Sequence, residues 1–197
     1  MGEWLTVPLM NKILLGNLAL FLIRKLRMKA FAAANGQVML FRSEVYKQNW
    51  FHEAVKQDRV EDIGISRHMK ALGYRTMTLL SGGQVHCRMY GGYSGALKGF
   101  AKNINAFFGN NWLILMLCVI LTTLGPFAVY ALFSLAGLLI YITGLVAVNI
   151  MISLLSRQFW VLNIVLLPLQ QASLVILFAM AAWRQLAGKM EWKGRKI

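Results

Sequence analysis

Apolar residues are distributed very unevenly along the chain, and the longest apolar stretch lies in its second half. Residues 112–155 contain no charged residue, which is too long for one membrane span and fits two, with a break expected between Phe133 and Ala136. Residues 159–183 form another apolar stretch, which is interrupted by Pro168 and by the pair Gln170 and Gln171. This stretch predicts a third span. The pattern therefore predicts about three transmembrane helices over residues 112–183.

A shorter apolar segment precedes the polar part of the chain. Residues 7–23 are apolar except for a few polar positions such as Lys12, and a basic group follows directly at positions 24–29. One interpretation is a helix lying in the membrane interface, with its cations at the lipid headgroups. The other is a core helix that packs against the polar part. Residues 1–30 are thus an amphipathic lead-in whose location the pattern leaves open.

Residues 31–111 are the only long part in which charged residues, glycines and short apolar runs alternate. Short runs at residues 38–41, 74–80 and 85–90 predict strands. Apolar spacing over residues 61–72 predicts an amphipathic helix that ends at Gly73. Strands mixed with helices indicate an α/β module followed by an all-α membrane region.

The charge distribution supports a membrane location. The net charge is +14, yet Arg157 is the only charged residue between positions 112 and 183. Basic residues therefore flank apolar segments, which favours anionic lipid headgroups as partners and not nucleic acid. The positive-inside rule predicts a multi-pass membrane protein with its polar module at the cytoplasmic face. The same rule also places the basic tail, residues 184–197, in the cytoplasm, which conflicts with three spans.

Two adjacent acids begin the predicted helix, Glu61 and Asp62. Acids are favoured in the first turn of a helix because they interact with its free N–H groups and with the helix dipole, and this structural interpretation is the simpler one. A carboxylate held in the same place is also positioned to take a proton from a hydroxyl, as a general base does. The pattern by itself leaves both interpretations open.

Several motifs occur in an order that resembles the C-terminal half of a membrane-anchored family 2 glycosyltransferase. The similarity is greatest to the branch that includes hopanoid- and carotenoid-associated glycosyltransferases. The residues that carry the resemblance are 32–42, 60–62, 68–75, 88–90, 99–103 and 192–195.

The resemblance implies a GT-A fold and the transfer of a sugar from a nucleotide donor to a lipid or lipid-linked acceptor. It implies that Asp62, next to Glu61, is the catalytic base, and that the loop of Asn35 and Gly36 lies by the donor sugar and the acceptor. Arg88 stands where basic residues near the diphosphate are expected, although an ordinary surface arginine explains it equally well.

The chain departs from that family in one important respect. It contains no Asp-x-Asp motif and no metal-ligand spacing, and the two cysteines, Cys87 and Cys118, read as free thiols. A divalent metal such as Mg or Mn is therefore expected only with a nucleotide-binding half that this chain lacks. The chain is then a truncated product, a fragment, or one partner of a split enzyme whose other chain carries that half. The chain alone is then expected to be inactive. The alternative function is a non-catalytic, membrane-anchored remnant or accessory subunit that binds lipid or a partner protein.

Overall fold

The computed structural model describes residues 2–17, 20–58, 60–81, 83–85, 89–187, 191–192 and 195–196. Helices dominate this part of the chain. They are α1 (Val7–Asn17), α2 (Leu20–Lys25), α3 (Ser43–Asn49), α4 (Phe51–Ala54), α5 (Glu61–Ala71), α6 (Tyr93–Phe107), α7 (Trp112–Leu155), α8 (Trp160–Val165) and α9 (Leu167–Leu186). Short 3-10 helices occupy Gly2–Leu5 and Lys29–Phe31. In the tail, β1 (Glu191–Trp192) pairs antiparallel with β2 (Arg195–Lys196).

The main hydrophobic core lies where α1, α6, α7 and α9 meet. Leu9 of α1, Phe100 and Ile104 of α6, Leu115 of α7 and Leu177 of α9 are all buried in one cluster. Small residues on α6 and α9 let these two helices approach closely. Burial of such side chains contributes about 1.5–3 kcal/mol each, so this cluster supplies much of the stability of the helical part.

The long apolar helix α7 is interrupted once. Ser134 has φ 59° and ψ −166°, which is not helical, and it falls inside the interval predicted for a break. Gly125 lies close to the side chain of Tyr141, since a Cβ built on Gly125 would be 3.4 Å from the Tyr141 hydroxyl. In a continuous helix these two residues, 16 positions apart, would be separated by about 24 Å. The two halves of α7 therefore fold back on each other at Ser134.

A second, smaller core holds the polar module together. Phe51, Val55 and Ile65 are buried, and Phe41 and Tyr74 pack around them with other partly buried side chains. The Phe41 and Phe51 rings are stacked with centroids 6.1 Å apart, and Tyr74 meets Phe51 edge to face at 6.2 Å. This aromatic cluster fixes α4 against α5 and so positions the start of α5.

The prediction of an α/β, GT-A-like module is wrong. Residues 38–41 and 74–80 are not strands and pair with no described strand, and residues 86–88 of the third predicted strand lie outside the described residues. The described part of the module is helical and irregular. A strand needs a neighbour to satisfy its backbone groups, and these two segments do not find one in each other.

The prediction of a multi-pass membrane protein is also not supported. By length and composition, one helix in the described part of the chain could cross a membrane, Trp112–Leu155. A single such helix is weak evidence for a membrane protein, because the core helix of a soluble protein can be equally long and apolar. Only 17% of the most apolar 18-residue stretch of this helix is buried within the protein. The expected third span is divided at Leu166 into α8 and α9. The six residues of α8 are too few to cross a membrane, and α9 carries Gln170, Gln171 and Arg184 among its 20 residues.

The lead-in is packed against the helical core. Leu9 lies in the core cluster, and Val7, Met10 and Ile13 pack against it. This packing is what the core-helix interpretation requires of α1. The location of residues 1–30 at a membrane interface stays a prediction.

Candidate functional site

The two acids predicted as catalytic occupy the first turn of α5. Asp62 is half-buried, and its Oδ1 accepts a hydrogen bond of 2.8 Å from the backbone N–H of Ile63. Its Oδ2 accepts a second bond of 2.9 Å from the backbone N–H of Gly36. The structure thus brings together Asp62 and Gly36, which are 26 positions apart. The family resemblance implied that both residues belong to one site.

The loop that carries Gly36 has a defined shape. The backbone N–H of Val38 donates to the carbonyl of Asn35 at 3.3 Å, and the N–H of Gln37 donates to Oδ1 of Asn35 at 3.2 Å. An asparagine that binds the backbone two residues ahead stabilises a tight turn. This turn holds the N–H of Gly36 toward Asp62 and leaves Asn35 exposed beside it.

The Asp62 carboxylate keeps part of its hydrogen-bonding capacity. A carboxylate offers about four acceptor positions, and two are used by backbone N–H groups. No described lysine, arginine or histidine forms an ion pair with it. Among the described residues the group is therefore oriented without a cationic partner, and two of its acceptor positions are left for a hydroxyl.

The remaining predicted residues are less informative. Glu61 is exposed at the first position of α5, which fits its expected interaction with the helix dipole. Arg88 lies outside the described residues, so its predicted role near a diphosphate stays a prediction.

Two basic residues fix α5 to the rest of the chain. Arg67 donates from Nη2 to the carbonyl of Ala106 in α6 at 3.0 Å, and burial lowers the pKa of this guanidinium while the nearby charge of Asp58 opposes the change. Lys70 is buried, and its Nζ donates to the carbonyls of Ile23 and Leu26 at 2.6 and 2.5 Å. The helix that carries Asp62 is thus attached to both α6 and α2.

A cleft that the sequence interpretation missed lies between α5, α6 and α9. Its volume is about 450 Å³ and its lining includes Asp58, Arg67, Asn105 and Trp112. The Asp58 carboxylate lies directly against Gly64, where a side chain would have no room. The signal in the sequence was Asp58, one of only two aspartates, placed just before a helix whose fourth residue is glycine. The contact between Asp58 and α5 could not be read from that spacing.

A buried polar network joins α1 to α8 and α9. Lys12 donates from Nζ to Oε1 of Gln170 at 2.6 Å, and Gln170 in turn donates from Nε2 to the carbonyl of Trp4 at 3.0 Å and to Oδ1 of Asn163 at 3.3 Å. Asn163 donates to Oγ of Ser153 at 2.9 Å. Gln170 therefore forms hydrogen bonds between helices.

The described residues define an all-α protein with a long, largely exposed apolar helix and one oriented, half-buried carboxylate. They contain no group of three or more histidine, cysteine, aspartate or glutamate side chains that could hold a metal ion. No family model, no curated protein and no solved structure matches the chain.

Proposed function

We propose that this chain contributes the proton acceptor and the acceptor-binding surface of a membrane-associated glycosyltransferase. The observation that carries the proposal is the 2.9 Å bond between Gly36 N–H and Asp62 Oδ2, because it joins the two motifs that the family resemblance places in one site. The fold offers no nucleotide-binding sheet among the described residues. In this proposal another part of the enzyme binds the sugar nucleotide.

Asp62 would act as a general base. Its free acceptor positions take the proton of an acceptor hydroxyl, and the hydroxyl oxygen attacks the anomeric carbon of the donor sugar. The bond from that carbon to the diphosphate breaks, and the nucleoside diphosphate leaves with the electron pair. The described residues offer no set of ligands that fits Mg or Mn, so no step assigned to this chain involves the metal.

The exposed apolar helix supports a lipid or lipid-linked acceptor. Only 17% of the most apolar window of α7 is buried within the protein. Exposed residues such as Leu132, Phe133 and Ile140 form a surface that favours hydrocarbon over water. An acceptor lipid would remain in its membrane while its hydroxyl reaches the polar module.

Complementation of a deletion strain tests the proposal. The wild-type chain, Asp62→Asn and Glu61→Gln are expressed in cells that lack the gene, and transfer of labelled sugar to extractable lipid is measured in their membranes. We expect wild type and Glu61→Gln to restore transfer and Asp62→Asn to lower it by at least about 10²-fold, the usual scale for a general base. Full transfer by Asp62→Asn, at equal protein level, would remove Asp62 from this role.

A second candidate function is a non-catalytic accessory subunit that binds lipid. The exposed apolar surface of α7 favours it, because lipid binding needs that surface and does not need Asp62. In this case Asp62→Asn restores the cellular function as well as wild type does, and charged substitutions at Leu132 and Ile140 abolish it. The same set of variants therefore separates the two functions.

A further inference from the structure

Residues 38–41 lie outside the helices, and their side chains are alternately exposed and partly buried. Met39 and Phe41 pack against the aromatic cluster of the polar module. Val38 and Leu40 point outward, and Leu40 is 93% exposed. This alternation is the pattern of a strand with one buried face.

Residues 74–80 repeat the same pattern nearby. Tyr74 packs in the aromatic cluster, and Thr76 and Thr78 are half-buried. Met77 and Leu79 point outward, and Leu79 is 73% exposed. The segment lies near the start of residues 33–41, because Oγ1 of Thr78 donates to the carbonyl of Ala33 at 2.7 Å.

Apart from the N–H groups of Val38 and Tyr74, which donate to the carbonyls of Asn35 and Met69, the backbone of both segments is unpaired within the described residues. No N–H of residues 39–41 or 75–80 donates to a described backbone carbonyl, and no carbonyl of these residues accepts from a described backbone N–H. The hydroxyl of Thr76 is buried without a hydrogen-bond partner in this part of the chain. A segment with this alternation, whose remaining backbone groups bond to no described residue, is a template for an added strand.

Charge decides which partner fits. Each segment carries an exposed arginine at its edge, Arg42 and Arg75, and neither forms an ion pair with a described residue. The chain as a whole has a net charge of +14, so a second copy would be repelled. An acidic polypeptide would be attracted, with its carboxylates near the two arginines.

We propose that residues 38–41 and 74–80 form a docking surface, here called the open edge, for an acidic partner polypeptide that adds a β-strand to it. The partner's backbone supplies hydrogen bonds to the free N–H and C=O groups. Its apolar side chains cover Leu40, Met77 and Leu79. The open edge does not use Asp62, so this proposal holds or fails independently of the proposed function.

A synthetic peptide that alternates glutamate and valine tests the proposal with the full chain in detergent micelles. Its control has the same sequence with N-methyl groups on alternate backbone nitrogens, which removes the donors of one edge. The readout is amide hydrogen exchange at residues 75–80 and 39–41. We expect the acidic peptide to slow exchange there by at least about tenfold and the methylated peptide to have no effect.

A matched pair of variants tests the role of charge. Arg75→Glu is expected to weaken the peptide's effect on exchange by about tenfold, whereas Lys98→Glu, an equal change of charge at an exposed position of α6, leaves it intact. Unchanged circular dichroism of both variants confirms that they fold.

Three outcomes would overturn the proposal. Equal slowing by the methylated peptide would show that backbone pairing is not involved. Slowing that grows with protein concentration in the absence of peptide would identify a second copy as the occupant. Slowing by vesicles of anionic phospholipid alone, with no further effect of peptide, would identify a membrane surface instead.

Discussion

Lys70 provides the most direct test of how α5 is held. Its ammonium group is buried, only 4% of the residue being exposed, and it donates to the carbonyls of Ile23 and Leu26 at the end of α2. Burial also lowers the pKa of this amine. Replacement by methionine keeps the length and the apolar part of the side chain but removes both bonds.

The expected effect of Lys70→Met follows from two opposing contributions. Two hydrogen bonds from a charged donor contribute about 1.5–3 kcal/mol each, and their loss leaves the carbonyl of Ile23 without its lysine partner. The variant no longer has to bury an ammonium ion, which returns a few kcal/mol. We expect a net decrease in the free energy of unfolding of about 2 kcal/mol.

Denaturant unfolding in a mild detergent, followed by circular dichroism, measures this difference. Lys47→Met is the matched control, because Lys47 is exposed in α3 and its loss should change stability by less than about 0.5 kcal/mol. If Lys70→Met is as stable as this control, the two bonds do not hold α2 against α5. Greater proteolysis between α1 and α3 in Lys70→Met alone would locate the loosening at α2.

Three other substitutions have expected outcomes. Burial lowers the pKa of Lys12 from 10.5 to about 8, so the unfolded chain holds this proton up to a higher pH than the folded one. Stability should therefore rise between pH 8 and 10.5, and Lys12→Met should remove that rise in unfolding experiments across this range. Gly64→Ala should lower stability by about 1–3 kcal/mol because its Cβ overlaps the Asp58 carboxylate, and Asp58→Gly in the same chain should restore most of the loss. Ser134→Gly should raise the thermal midpoint by relieving about 1 kcal/mol of backbone strain at φ 59°, whereas Ser134→Ala should not.

Local patterns predicted some of the helices, although α3 and α4 were not predicted. The helix over residues 61–72 is present as Glu61–Ala71, and Gly73 follows it with φ 83°, the left-handed conformation expected of a glycine after a helix. The break in the long apolar stretch occurs at Ser134, inside the predicted interval. Helix formation depends on hydrogen bonds between residues four apart, so local sequence is sufficient to predict it.

The strands were predicted wrongly for a related reason. Residues 38–41 and 74–80 have the alternating exposure of strands, but a strand also needs a neighbour at the right distance. Neighbouring strands come from elsewhere in the chain or from another chain, and local pattern says nothing about them. The expected third membrane span is divided at Leu166, and the six residues of α8 are too few to cross a membrane.

The structure brings two of the candidate site residues into contact, and the roles assigned to them stay a prediction. Asp62, Asn35 and Gly36 were selected by family resemblance, and the structure shows Gly36 bound to Asp62. The cleft at Asp58 and Arg67 was not predicted, because it is formed by helices that are far apart in the sequence.

The sequence by itself determined the apolar and polar division of this protein, its strong positive charge and several of its helices, because these depend on composition and on neighbours a few residues away. Tertiary structure alone decided that α5 is attached to α2 and α6, that Lys12 lies beside Gln170, and that residues 38–41 and 74–80 pair with no strand in the described part of the chain. Contacts between distant residues depend on how whole helices pack, and many sequences with the same local pattern would pack differently.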